Sequence, residues 1–452
     1  MPPVPFAFAQ NRMSTVRPFE VTHRGVLAIA VPMTIAYLST PMLGIVDTAV
    51  IGQLGRADLL GGIAVGAIIF DILFTTFNFL RSGTTGLTAQ ALGADDRTGQ
   101  TAALYRAALV GLIAGVLVIV LQAPVLGASL LLMGASGPVE AAVREYFAIR
   151  VIGAPFALFN YAILGWFLGL GRARTGLALQ LLLNGLNMAL NALFVLWFDW
   201  GVAGVAWGTV IGETVTAVAG GLVAARALGA GAFIPWSAVM EKTGLIRTFA
   251  VNRDIMIRSF SLLFAFALFT SAGAREGDVV LAANAILMNF FLLGGYFLDG
   301  FATAAETLAG RAIGARYRPA FARAVNLTLV WGFALAGALS LVLLLAGPAF
   351  VDLMTTSPEV RDAARVFLVW AALTPLFGVA AFQFDGVFIG ATWSDDMRNM
   401  MLVSLVVYVV VWQLATPWLG NHGLWLALAT FLITRGATLA ARYPVRLART
   451  FG

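Results

Sequence analysis

Cysteine is absent from the 452 residues, which excludes a disulfide framework, a thiolate nucleophile and a cysteine metal site. Histidine is almost absent: His23 and His422 are the only two, they fall at expected helix ends, and they lack the spacing of a ligand pair. Charged residues make up only 11% of the chain. Lysine is reduced to Lys242, and no dense basic tract suited to nucleic acid is present. The glycine-rich stretch GTTGLTAQALGADDRTG (83–99) lacks the Gly-Lys-Ser/Thr ending of a phosphate loop. No nucleotide site is visible elsewhere, so ATP is not the expected energy source. No nucleophile with a base stands out either, and an enzyme is not expected.

What is abundant is apolar residue, 60% of the chain, arranged in recurring runs of the length that crosses a hydrocarbon core about 30 Å thick as a helix. Strands of a membrane barrel would alternate apolar and polar residues, and these runs do not. An all-α integral membrane protein follows. Breaks at polar and Gly/Pro-rich junctions predict about twelve spans, starting near Gly25, Leu59, Thr101, Ala141, Thr175, Val202, Gly244, Val279, Phe321, Arg361, Asp396 and Gly423. Arginines gather on alternate loops: Arg12, Arg17 and Arg24 with Arg97, Arg106, Arg172, Arg174, Arg247, Arg316 and Arg446 on one side, and chiefly Arg56 and Arg275 on the other. By the positive-inside rule both termini are expected to be cytoplasmic. The opening MPPVPFAFAQNR lacks a basic start and has too short an apolar part for a signal peptide.

The chain also repeats itself. GWFLG (165–169) resembles GVFIG (386–390), and ALGA (91–94) resembles AIGA (312–315), both 221 positions apart. One shared offset implies two six-helix lobes with parallel topology, and such repeats usually place a substrate site at their interface. The expected organisation is a cytoplasmic tail (1–24), a first lobe (25–228), a cytoplasmic linker (229–243), a second lobe (244–443) and a second tail (444–452).

Acids inside spans are costly, roughly 2.5 to 3.5 kcal/mol each on insertion scales, and there are six: Asp47, Asp71, Glu213, Asp299, Glu306 and Asp385. Few arginines were expected at that depth to pair with them. The fifth span carries an amide seam, Gln180, Asn184, Asn187 and Asn191, spaced to share one helix face. Counted from the span ends, Asp47, Asn191 and Thr209 sit in one layer roughly 12 to 14 Å below the outer surface. Asp47 is the group in that layer able to exchange a proton, with Asn187 one turn deeper and placed to bond the carboxylate or a ligand. These four are the expected coupling residues. The first span adds Tyr37, Thr40 and Gly44 in line with Asp47, and Pro32 and Pro41, which each remove a backbone donor and make the helix a candidate for bending. Asp71 and Asn78 of the second span, Asn184, Glu213, Asp299 and Asp385 complete the expected substrate cavity.

The segments VPMTIAYLSTPMLGIVDTAVIGQLG, FNFLRSGTTGLTAQALGA, NGLNMALNALF, GVAGVAWGTVIGE and FDGVFIGATWSDDMRNMM together resemble the multidrug and toxic compound extrusion (MATE) family, in its DinF-like bacterial branch. The resemblance runs over nearly the whole chain. It implies a twelve-helix, two-lobed exporter of small organic compounds in the bacterial inner membrane, driven by a proton or sodium gradient, with no cofactor and acting as a monomer. By position Asp47 matches the family's first-helix acid, Pro32 its bending proline, and Asn187 and Thr209 polar members of its amino-terminal site. Asn191 departs from the pattern, because many relatives have aspartate there. Loss of that carboxylate disfavours sodium, a hard cation that prefers charged oxygen ligands. The expectation is therefore proton antiport of cationic or amphipathic compounds, with sodium coupling as the alternative. A lipid-linked saccharide flippase of the same superfamily is a further alternative, and it would require cationic cavity residues.

Overall fold

The computed structural model describes residues 16–134 and 137–452; Arg12 and the rest of the opening stretch lie outside them. Among the described residues, twelve helical spans are long and apolar enough to cross a membrane: α1 (His23–Gly52), α2 (Asp58–Gly93), α3 (Arg97–Val120), α4 (Gly137–Gly169), α5 (Ala173–Trp197), α6 (Gly201–Leu228), α7 (Trp236–Arg275), α8 (Asp278–Gly314), α9 (Arg318–Met354), α10 (Pro358–Gly390), α11 (Ser394–Leu419) and α12 (Asn421–Phe451). Local chemistry explains several starts. The Thr22 hydroxyl accepts from the Gly25 amide at 3.1 Å and the Asp96 carboxylate from the Gly99 amide at 2.9 Å, each satisfying a donor that the first turn leaves free. Ser357 caps α10 in the same way, with Pro358 in the first turn where its missing N–H costs nothing.

The exterior is apolar and the interior partly polar, as lipid immersion demands. Leu345, Val120 and Leu414 are 76%, 70% and 68% exposed, while Asn191, Asn187 and Glu306 are 2% exposed or less. Four spans are not single regular α-helices. α2 breaks at Phe77 and Asn78, between Ala57–Thr76 and Phe79–Gly93. α4 tightens to a 3-10 turn at Val151–Gly153. α5 ends in a π-helical turn at Leu193–Trp197, and α7 breaks at Met240 and Glu241, between Trp236–Val239 and Lys242–Arg275. Conversely, α1 runs as one helix through Pro32 and Pro41, where interruptions were expected.

The repeat extends to backbone detail. Left-handed residues recur 221 positions apart, Asp95 with Arg316 (φ 56° and 50°) and Gly171 with Thr392 (φ 72° and 56°). Gly165 and Gly169 of α4 lie against the carbonyls of Arg81 and Thr85 on α2, while Gly386 and Gly390 of α10 lie against those of Ala302 and Glu306 on α8. Every one of these pairs keeps the same offset, and a Cβ on any of the four glycines would overlap a backbone oxygen. The lobes then cross at α2 and α8: Gly93 rests on the Arg311 carbonyl, and Gly314 rests on the Gln90 carbonyl. Small residues at these crossings let backbones approach where lipid supplies no hydrophobic drive to associate.

Candidate substrate and coupling sites

In the first lobe the seam of α5 meets α1 and α6. The Asn191 amide donates to Asp47 Oδ1 at 2.6 Å and to Asn187 Oδ1 at 2.7 Å, and the Asn187 amide donates to Thr209 Oγ1 at 2.9 Å. The hydroxyl of Thr209 donates in turn to the Val205 carbonyl at 2.9 Å. A single polar chain thus joins the three helices. Only its Asp47 end is accessible, since Asn191 and Asn187 are 0% and 2% exposed while Asp47 is half-buried. Asn187 therefore stands behind the carboxylate, bonded to Asn191 and Thr209; of the two partners expected for it, carboxylate or ligand, it does not touch the first. Asn191 is seated by Gly208, whose missing side chain leaves room for the amide.

Other amides hold the helices together. Asn184 donates to Ser39 Oγ at 2.7 Å and accepts from Gln180 at 3.3 Å. Asn184 is 3% exposed, so it ties α5 to α1 and does not line a cavity. Thr40, next to Ser39, is exposed.

Glu213 is also removed from the expected cavity. The Arg150 guanidinium, at the tight turn of α4, grips it with two bonds of 2.8 and 2.6 Å, and both side chains are 8% exposed. Phe70 and Phe74 of α2 cover the same guanidinium at 5.1 and 4.9 Å. Asp71, beside them on α2, is exposed and has no hydrogen-bond or ion-pair partner among the described residues.

Asp299 and Asp385 line a cavity of about 220 Å³ that lies between the lobes, because Asn78, Arg81 and Ser82 of α2 form part of its wall. Arg81 bonds back to Asn78 at 3.2 Å and to Ser82 at 2.9 Å, wrapping the break in α2. Its Nη1 lies 3.8 Å from Glu306. Asp385 is held through Oδ2 by two arginines, Arg258 of α7 and Arg435 of α12. Arg81, Arg150, Arg258 and Arg435 thus correct the expectation of few arginines at this depth. The distance of each from its span ends, counted as for the acids, locates all four.

Contacts between lobes concentrate toward the termini. Tyr37 of α1 meets Thr303 of α8, oxygen to oxygen, at 3.0 Å. Gln90 donates to the Gly390 carbonyl at 2.8 Å and to Thr392 at 3.2 Å, and accepts from Arg247. Thr307 donates to the Leu168 carbonyl at 3.1 Å, and Trp331 to His23 at 3.1 Å. On the other side of Tyr37, no hydrogen bond or ion pair among the described residues joins the lobes. Asp47 lies ten residues beyond Tyr37, about 15 Å along α1, on that unjoined side.

Three comparisons bear on this architecture. The model of the MatE family matches residues 32–193 and 255–413. DNA damage-inducible protein F of Escherichia coli (strain K12) is 40% identical over 423 residues, covering 91% of this chain and 90% of that protein. The probable multidrug resistance protein NorM of Chromobacterium violaceum is 24% identical over 462 residues, 92% of each. Among solved structures, one described as the outward-facing conformation of a multidrug resistance MATE family transporter superposes with a TM-score of 0.84 at 20% identity, covering 95% of this chain and 96% of that one. A MATE crystallised in complex with MaL6 gives 0.85 at 20% identity, covering 95% and 97%.

Proposed function

The chain belongs to the MatE family of transporters, and from that membership we propose that it exports small organic compounds across a bacterial inner membrane in exchange for protons, with Asp47 as the titrating group. The observation that carries the reading is the setting of Asp47: a half-buried acid on the unjoined side, bonded to one amide and to no arginine. Glu213 and Asp385 are gripped by guanidinium groups, and Glu306 faces one. Among the described residues Asp71 and Asp299 have no such partner, but neither is joined to a neighbouring helix by a hydrogen bond to its side chain.

In the proposed cycle the ionised Asp47 attracts a cationic or amphipathic substrate from the cytoplasmic side. Protonation from outside removes that attraction. It also weakens the Asn191 bond, since a hydrogen bond to a charged acceptor is roughly twice as strong as a neutral one. The tie between α1 and α5 loosens, and α1, short of the backbone donors at Pro32 and Pro41, is free to change shape. A membrane potential of 100 mV adds about 2.3 kcal/mol per net charge moved. Both lobes come from one chain, so the cycle requires no second copy. Asn191, an amide beside Asp47, supports protons over sodium because the layer offers one carboxylate where a hard cation prefers more.

The flippase reading requires a cationic cavity. Three arginines line the cavity between the lobes, but they face three acids and leave no formal excess. In everted vesicles energised by a pH gradient, the parent should take up a fluorescent organic cation, and Asp47→Asn should reduce that uptake to the level of empty vesicles. Uptake by Asp47→Asn at the parental rate would remove Asp47 from the mechanism.

A further inference from the structure

We propose that the cavity between the lobes is a binding site for amphoteric organic solutes, small molecules that carry an ammonium and a carboxylate on one apolar body. The site is distinct from Asp47. Its physiological meaning rests on the exporter reading, whereas its occupancy does not.

The wall of this cavity offers both kinds of unmatched polar group. On the donor side, Nε of Arg435 and Nη1 of Arg81 have no hydrogen-bond partner among the described residues; the 3.8 Å from Arg81 to Glu306 is ion-pair distance, beyond hydrogen-bond reach. On the acceptor side, Oε1 of Glu306 and Oδ1 of Asp385 are equally without partners, and among the described residues no hydrogen bond or ion pair reaches the Asp299 carboxylate. These are built features and not surface chains: Arg435, Glu306 and Asp385 are 1%, 2% and 4% exposed. Buried polar groups are ordinarily satisfied.

A ligand that satisfies only one set fails on the other. An organic anion would approach Arg81 and Arg435 but bring its charge against Asp299 and Glu306. An organic cation would suit those acids but meet three guanidinium groups. A molecule with both charges matches both sets. Asp299 and Glu306 lie seven residues apart on α8, about 10 Å along the helix, so the wall presents its charges at more than one position along the ligand. Phe266, Phe291 and Leu262 supply an apolar flank. The volume, about 220 Å³, is below the roughly 300 Å³ at which drug-sized pockets begin, and points to solutes of aromatic amino-acid size.

Three probes on one scaffold test this in nanodiscs: phenylalanine with both charges, its methyl ester with only the cation, and N-acetylphenylalanine with only the anion. Equilibrium binding should favour phenylalanine by at least tenfold over either derivative. Asp299→Asn should weaken phenylalanine and the ester but not the N-acetyl compound. Arg435→Gln, which removes the guanidinium with the unpartnered Nε, should weaken phenylalanine and the N-acetyl compound but not the ester; if that variant does not fold, Ser82→Leu, which fills the cavity from α2, should abolish phenylalanine binding instead. Gly337→Ala, a change into open space on α9, should leave it unchanged. Equal binding of all three probes, preference for a single-charge derivative, no binding at all, or loss in Gly337→Ala would each overturn the proposal. Dye uptake measured on the same preparation separates this outcome from a failure of the exporter reading, because uptake without phenylalanine binding refutes the site alone.

Discussion

Glu213 was expected in a substrate cavity and is found clasped by Arg150, and the two placements predict different responses to mutation. Replacing Glu213 with leucine leaves a guanidinium that is 8% exposed on its side chain without its two bonds of 2.8 and 2.6 Å. Breaking one partner from a buried pair costs about 3–5 kcal/mol, because the remaining charge is uncompensated. Arg150→Met alone should cost a similar amount, with the loss of its contacts to Phe70 and Phe74 included. Replacing both together removes the desolvation penalty with the pair, so the double variant should come within about 1 kcal/mol of the parent or exceed it. The predicted coupling between the two sites is therefore several kcal/mol, far beyond the few tenths expected of independent positions. Reversible unfolding in mixed micelles, followed by tryptophan fluorescence, measures each corner of the cycle, and dye uptake by the double variant measures function. A structural pair gives a stable double variant that still transports. Single variants as stable as the parent, or a stable double variant with no transport, would refute the reasoning and return Glu213 to the transport mechanism.

Three further outcomes are expected. Asn191→Ala should cost about 1.5–3 kcal/mol in the same unfolding assay, the worth of a hydrogen bond to a charged group, whereas Asn191→Asp should place a second carboxylate beside Asp47 and make uptake responsive to sodium. Gly386→Ala should cost about 1–3 kcal/mol by overpacking, since its new methyl group would meet the Ala302 carbonyl; Gly337→Ala, with nothing within 4 Å, should be neutral or stabilising by about 1 kcal/mol. Tyr37→Phe removes one interlobe bond, worth about 0.5–1.5 kcal/mol, and should raise the population with separated termini roughly two- to thirteenfold. Spin labels on cysteines at Arg97 and Arg318, introduced into a chain that has no cysteine of its own, would read that shift as a longer distance.

Periodicity and depth made much of this molecule legible before any coordinates. The apolar runs marked twelve spans, and a single offset marked the repeat that recurs at Gly165 and Gly386. Depth counting put Asp47, Asn191 and Thr209 on one level, and the structure joins them through Asn187. What depth alone does not supply is direction around the helix. Asn184 shares the stripe with Asn187, yet its amide reaches Ser39 and closes a helix contact. The break in α2 carries neither proline nor glycine. Arg81 bonds back to Asn78 there, a contact between residues three apart that an unbroken helix could also place together, so the spacing alone does not mark the break. The prolines of α1, by contrast, are conspicuous in the sequence but do not interrupt the helix, because a bilayer penalises an open backbone more than a missing donor.

Transport in proteoliposomes with the proton and sodium gradients imposed one at a time tests the central claim most directly. The account predicts that an inward-directed proton gradient alone drives export, that a sodium gradient alone does not, and that Asp47→Asn abolishes the proton-driven flux. Export driven by sodium alone, or proton-driven export that survives Asp47→Asn, would contradict it.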